Sequence, residues 1–269
     1  MRENDCPGSS ELGALWESWL MNLGWQPTPQ QQQQLQQLYP LVMAGNQTQN
    51  LTRITDLIDF WEKHLWDSLR GLTLLGDWDT LQAQPWRGID IGTGAGFPGI
   101  PAQIALPQST FTLLDSTQRK IAFVQETLQK LSLTRARAVA QRAEVWGQTR
   151  EERGSYDIAL ARALASAEIC AEYCLPLLKV GGRAILYRGH WTEAEAQTLK
   201  LALEPLGGKL SHVEAFTTPR SHGVRHCLLL EKVVPTPSLY PRSPGVPKRQ
   251  PLGRGKPPIQ RLGSPTASC

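Results

Sequence analysis

Along this chain the apolar positions change rhythm near Pro85. Before it they recur at helical spacing: Leu12, Leu15, Trp16, Trp19, Leu20 and Leu23 form one stripe, which Gly24 ends. Next comes Thr28-Pro29-Gln30-Gln31, with a capping hydroxyl, proline at the first helical position and glutamine three residues after the cap. The following glutamine run is therefore predicted to be helical, with Leu35, Leu38, Leu41 and Val42 as its apolar face. A third helix is predicted over 57–75, carrying Phe60, Trp61, Leu65, Leu69 and Leu72. After Pro85, short apolar runs alternate with amphipathic stretches, the pattern of βα units and a parallel sheet. Strands are predicted at 88–91, 110–114, 138–141, 156–161, 183–187, 209–216 and 225–231, and helices at 99–106, 118–131, 166–178 and 192–203. Only the loop 217–224 separates the last two strands, so they should pair antiparallel at one edge.

Composition narrows the class. Of the 269 residues 41% are apolar and 19% charged, close to an ordinary globular protein, and no apolar run approaches the roughly 18 residues of a membrane helix. The first residues lead into no apolar secretory segment, so a cytoplasmic protein is expected. Cys6, Cys170, Cys174, Cys227 and Cys269 are odd in number and scattered, which favours neither a disulfide framework nor a zinc site. The net charge of +4 comes entirely from the end of the chain: residues 233–269 hold six basic and no acidic side chains, leaving the rest slightly acidic. That tail also holds nine prolines, and its far end should be extended or disordered.

Chemistry concentrates where the first predicted strand ends, in Asp90-Ile91-Gly92-Thr93-Gly94-Ala95-Gly96-Phe97-Pro98-Gly99. Glycines between a strand and a helix let the backbone turn sharply and approach a ligand, and the helix start offers free amide donors. The second strand ends in Asp115, 21 residues past Gly94, where a carboxylate can accept both hydroxyls of an adenosine ribose. The glycine spacing also satisfies the dinucleotide fingerprint, so NAD and S-adenosylmethionine both fit. Three features favour S-adenosylmethionine: Asp90 before the first glycine, suited to a cationic amino-acid end; an antiparallel final strand; and no Tyr-x-x-x-Lys or comparable hydride-transfer set.

The segments Asn50-Leu51-Thr52, Lys63-His64-Leu65-Trp66-Asp67-Ser68-Leu69, 90–101, Leu113-Leu114-Asp115-Ser116, Arg142-Ala143-Glu144 and Ala161-Arg162-Ala163 together resemble the RsmG (GidB) family. Tyr240-Pro241-Arg242 through Gly245-Val246-Pro247-Lys248 resembles its C-terminal segment. The resemblance implies a class I S-adenosylmethionine-dependent methyltransferase of Rossmann-like α/β fold, acting on N7 of guanine 527 in bacterial 16S rRNA. It divides the chain into an N-terminal helical region (1–84), the methyltransferase domain (85–232), the C-terminal family segment (233–252) and a disordered basic tail (253–269). Carried over residue by residue, it implies cofactor contacts at Gly92 and Phe97 in the glycine loop, Asp115, Ser116 and Thr117 after the second strand, Ala143 and Glu144 beside the adenine, and Arg162 near the reacting methyl. Where the family usually has Lys-Gly after the fifth strand, this chain has Arg188-Gly189.

Guanine N7 loses no proton on methylation, so no general base is required, and alignment with water exclusion would carry catalysis. His64 is expected to be a packing residue. Arg53, Arg119, Lys120, Arg162, Arg188, Arg220 and Arg225 are the candidate RNA-facing cations, and a small-subunit particle is a better expected substrate than free RNA, since the body is acidic. A monomer without metal is expected. Two alternatives remain: an NAD-linked oxidoreductase, and a non-catalytic regulator that senses S-adenosylmethionine.

Overall fold

The computed structural model describes residues 9–254. Seven strands, β1 (Arg87–Ile91), β2 (Thr110–Asp115), β3 (Ala136–Ala140), β4 (Tyr156–Arg162), β5 (Leu178–Arg188), β6 (Gly208–Thr217) and β7 (Val224–Lys232), form one sheet in the order β3-β2-β1-β4-β5-β7-β6. The pairs among β1 to β5 are parallel, and β7 runs antiparallel to both neighbours. The chain therefore winds outward from β1 to β3 and then restarts at β4 on the other side. Such a switch point opens a crevice at the carboxyl ends of the central strands.

Side-chain alternation sends the two faces of each strand into separate cores. Leu113, Ile158, Leu160 and Ile185 meet the N-terminal helices, while Ile89, Leu114, Ala159 and Leu186 meet the later helices and Tyr240 and Leu252 of the C-terminal segment. The N-terminal region and the C-terminal segment thus cover opposite faces of the sheet.

The glutamine-rich helix Pro29–Asn46 starts as its sequence predicts. Thr28 Oγ1 accepts from Gln31 N at 3.3 Å and Gln31 Oε1 accepts from Thr28 N at 2.8 Å. Its glutamines also dock it: Gln31 Nε2 donates to Ile104 O at 2.8 Å and Gln34 Nε2 to Leu131 O at 2.9 Å. Leu35, Leu38 and Val42 are buried beneath it, whereas Leu41 is half-buried.

The helices differ from the sequence pattern in three places. The helix predicted over 57–75 is Leu57–Phe60, a π-helical stretch Trp61–Trp66, Asp67–Leu72 and a closing 3₁₀ turn Thr73–Leu75. The helix predicted to 178 stops at Cys174, because Leu175–Leu177 contains Pro176, and Leu178 already pairs with Tyr156 as the first residue of β5. Short helices Trp78–Ala83, Ala143–Trp146 and Val246–Arg249 have too few residues to show a period.

Leu252 is buried, Gly253 takes a positive φ of 77° against Thr198, and Arg254 pairs with Glu168 at 2.7 Å, so ordered packing runs two residues past Leu252. The rest of the predicted tail, from 255 onward, lies outside the described residues, as do Cys6 and Cys269. Cys170, Cys174 and Cys227 are free and buried, and burial pushes the Cys170 thiol up to about 11. No described helix is long and apolar enough to cross a membrane.

Candidate active site

The turn after β1 depends on its glycines. Gly92, Gly94 and Gly96 have φ of 74°, 59° and 98°, a region side chains rarely adopt. A Cβ on Gly92 would strike Leu164 at 2.5 Å and one on Gly96 would strike Ile100 at 2.3 Å, whereas one on Gly94 would meet nothing nearer than 4.0 Å, so of the three it is Gly94 that faces open space. Asp90 does not present itself to a ligand, contrary to the sequence-based expectation. Its side chain is fully buried, with Oδ2 accepting from Thr93 Oγ1 at 2.6 Å and from Gly99 N at 2.8 Å. A Cβ on Gly99 would sit 2.7 Å from that oxygen, so glycine is needed for this close approach. Asp90 is a brace for the loop.

Asp90 Oδ1 has no hydrogen-bond partner among the described residues, and burial raises the carboxyl from 3.8 to about 6. Raising a folded-state carboxyl means that folding binds a proton between those values, so the group's contribution favours folding at low pH and is lost as pH rises. The stability of Asp90→Asn minus that of wild type should therefore increase between about pH 4 and 6 and be flat outside, by about 2 to 3 kcal/mol in all. Denaturant unfolding across that range checks it; a difference independent of pH would show that Asp90 does not titrate there.

Beside this loop the carboxyl ends of β1, β2 and β3 enclose a cavity lined by Ile91, Gly92, Leu114, Asp115, Ser116, Gln141, Arg142, Ala143, Glu144, Leu164, Tyr173 and Lys248. Asp115 Oδ1 accepts from Thr117 N at 2.8 Å and Oδ2 from Gly94 N at 3.1 Å. Each oxygen keeps a lone pair, so the aimed carboxylate can still accept two hydroxyls. Glu144 is different. It is buried, and its Oε1 accepts from Arg142 at 2.8 Å, from Gly245 N at 2.9 Å and from the Tyr173 hydroxyl at 3.4 Å. Hydrogen bonding to Arg142 and to Gly245 outweighs its burial and holds the Glu144 carboxyl below the ordinary range. Glu144 thereby ties the C-terminal segment, with Lys248, onto the cavity wall.

Arg162, at the end of β4, points into the N-terminal region. Its guanidinium donates to Lys63 O at 2.9 Å, to Asp67 Oδ2 at 3.1 Å and to His64 Nδ1 at 3.1 Å. Because Nδ1 accepts, the proton of the neutral ring sits on Nε2, which donates to Thr52 Oγ1 at 2.8 Å. Burial, and then the Arg162 charge, lower His64 to about 3. The ring stacks on Phe97 with centroids 4.6 Å apart. On the same helical stretch, buried Glu62 accepts from Arg220 N at 2.6 Å, Ser221 N at 2.9 Å and Ser221 Oγ at 2.6 Å.

Of the sequence-selected residues, the structure gathers Gly92, Asp115, Ser116, Ala143 and Glu144 around one cavity. Thr117 stands just outside as an exposed residue at the cap of helix Gln118–Lys130, and its amide holds Asp115. Phe97 and Arg162 are not in the lining; they form the contact between glycine loop, β4 and N-terminal helices. Arg188, read as an RNA-facing cation, is tied inward to Ala165 O at 2.8 Å and Glu195 at 3.2 Å. Sequence reasoning missed Leu164, Tyr173 and Lys248 in the cavity. It also passed over the buried acids Glu62 and Asp67, for which an acid at an inward position of an otherwise apolar helix was the available signal.

A family model for rRNA small subunit methyltransferase G matches residues 31–224. Ribosomal RNA small subunit methyltransferase G from Synechococcus sp. (strain JA-2-3B'a(2-13)) is 84% identical over 260 residues, covering 96% of this chain and 100% of that protein. The same-named protein of Synechococcus sp. (strain JA-3-3Ab) is 81% identical, covering 95% of this chain and 99% of its own. That of Nostoc punctiforme (strain ATCC 29133 / PCC 73102) is 53% identical, covering 90% and 98%. With a Rossmann-like sheet whose seventh strand is antiparallel, and with matches along nearly its whole length, the chain belongs to the rRNA small subunit methyltransferase G family.

Proposed function

We propose that this protein transfers the methyl group of S-adenosylmethionine to N7 of guanine 527 of 16S rRNA in the small ribosomal subunit. The observation that carries the cofactor assignment is the Asp115 carboxylate, held by Gly94 N and Thr117 N at the edge of a cavity beside an open glycine turn. The donor set fits an adenosine: Asp115 accepts the ribose hydroxyls, Gly92 gives backbone approach, and Ser116, Ala143 and Leu164 wall the ring. Glu144 shapes this wall through Arg142, Tyr173 and Gly245. Phe97 and Arg162 act one layer back, fixing the glycine loop and the end of β4.

When bound, the cofactor supplies an electrophilic methyl group on a sulfonium. The chain's residues then need only orient and desolvate, because guanine N7 offers a lone pair and gives up no proton. His64 fits that scheme: both ring nitrogens and one ring face are committed to Thr52, Arg162 and Phe97, and its low pKa keeps it neutral. RNA is received at the carboxyl rim of the sheet by the cations that project there, among them exposed Arg53, Arg119 and Arg220. The protein acts as a monomer in the cytoplasm, on the subunit or its precursor.

Mapping N7-methylguanosine in 16S rRNA from a strain lacking this protein tests the assignment. The modification at 527 should vanish and return on complementation; its persistence would reject the target. Calorimetry with S-adenosylmethionine and NAD side by side separates the methyltransferase from an oxidoreductase.

A further inference from the structure

The β6–β7 connection, residues 218–223, lies at the same edge of the sheet as the cavity, since β7 begins opposite the end of β5. This short loop is unusually well fixed. Thr218 N donates to Gly223 O at 3.0 Å, and Gly223 N donates to Thr218 Oγ1 at 2.9 Å. Ser221 Oγ lies 2.8 Å from Thr218 Oγ1 and donates to Glu62 Oε2, so that the chain of donors runs from Gly223 through both hydroxyls to the Glu62 carboxylate. Two successive backbone amides, of Arg220 and Ser221, close on Glu62 Oε1. His222 is held at φ 52°, a left-handed conformation that side-chain-bearing residues rarely adopt.

Glu62 comes from the N-terminal region, 158 residues away in sequence from Arg220, and is 1% exposed. It sits in the π-helical stretch Trp61–Trp66, five residues before Asp67, which binds Arg162 and lies 3.9 Å from Arg225. In an α-helix two residues five apart diverge by about 140°. The wider π turn brings them closer to one face, so a single stretch grips the β6–β7 loop and the ends of β4 and β7 together. The loop exposes Arg220, Ser221 and His222; the Arg220 side chain, its one cation, is 50% exposed, with its guanidinium 3.9 Å from Asp59.

We propose that residues 218–223 form an arm that contacts the sugar-phosphate backbone of the RNA acceptor through Arg220, and that Glu62 is the positioning residue that holds this arm at the rim. The proposal deepens the reading of the protein as an rRNA methyltransferase and rests on it. A cation presented by a preordered loop loses little conformational freedom on meeting a phosphate, whereas the same arginine on a loose loop would have to be ordered at the moment of binding.

Wild type, Arg220→Ala, Glu62→Gln and the double variant are compared for small-subunit binding over a series of salt concentrations, for KM and kcat of subunit methylation, and for S-adenosylmethionine binding. Arg220→Ala should raise the Kd for subunits by several-fold to tenfold and lower the log-log salt slope by about 0.7 to 0.9, one phosphate contact. Glu62→Gln should raise KM in the same direction with kcat and the cofactor Kd unchanged, and the double variant should be no worse than the poorer single one, because both act through one loop. Should Glu62→Gln fail to fold, Ser221→Ala, which removes one contact of the carboxylate, enters the same cycle. Unchanged subunit binding in Arg220→Ala, or losses that simply add, would overturn the proposal. A wild type that binds subunits in this manner but leaves guanine 527 unmethylated would instead reject the proposed reaction and leave the arm standing.

Discussion

Replacing Asp115 with alanine is expected to weaken S-adenosylmethionine binding at least tenfold while leaving the fold intact. A carboxylate accepting two hydroxyls makes two charge-assisted hydrogen bonds, each worth about 1.5 to 3 kcal/mol, and even the lower figure for one bond corresponds to a factor of ten. The variant also loses the acceptors for Gly94 N and Thr117 N, which loosens the turn facing the ligand. Those two amides lie at the cavity edge and can turn to water, so little of the loss should appear in global stability. Asp115→Asn, which keeps the shape and one acceptor, should fall between the two. Calorimetric titration with circular dichroism as the folding control measures this; an unchanged Kd in a folded Asp115→Ala protein would remove the residue from the site.

Arg162→Ala should cost the most stability, about 3 to 5 kcal/mol, because removing one partner of a buried ion pair strands the other. The Arg162 and Asp67 side chains are 13% and 9% exposed. Without the guanidinium, Asp67 keeps, among the described residues, only Arg225 at 3.9 Å, and His64 Nδ1 and Lys63 O lose this donor. At about 2 to 4 °C per kcal/mol for a chain of this size, the midpoint of thermal unfolding should fall on the order of 10 °C. Arg162→Lys should recover only part of it, since one ammonium cannot reproduce the fork that reaches three acceptors.

The deficit should also depend on pH. Burial already raises the Asp67 carboxyl, and Arg162 is the first of the charges pulling it back, so deleting Arg162 raises it further. A carboxyl raised by folding favours the folded state at low pH and loses that contribution as pH rises. The gap between wild type and Arg162→Ala should therefore be wider at pH 8 than at pH 5. A loss below about 1 kcal/mol, or a gap that widens toward acid, would contradict the assignment of this pair as a buried one.

Much of this protein was legible in its sequence because much of it is decided locally. A strand buried on both faces, such as Thr110–Asp115, shows as a short apolar run between turn signals whatever lies beyond it. The capping box at Thr28 and Gln31 needs only four residues. Three glycines within five residues after the first strand, followed 21 residues after Gly94 by Asp115 at the end of the second, were enough to point to the edge where the structure has its cavity. The antiparallel edge followed from a loop too short for a parallel return.

What the sequence could not decide was which partners its charged residues would take. Asp90 could be read as a ligand contact because its position before the glycines is right, yet only packing shows that Thr93 and Gly99 have already claimed it. Arg162 and Arg188 carry the charge expected of RNA-facing residues, and the fold turns both inward. The π turn at Trp61–Trp66 was invisible for the same reason: local preference allows a plain α-helix there, and the widened turn accompanies Glu62, His64 and Asp67 each meeting a partner remote in the chain. Periodicity and turn chemistry arise from near neighbours and are written in order along the chain. The cost of burying a charge is set by distant residues, and only the tertiary structure brings those together.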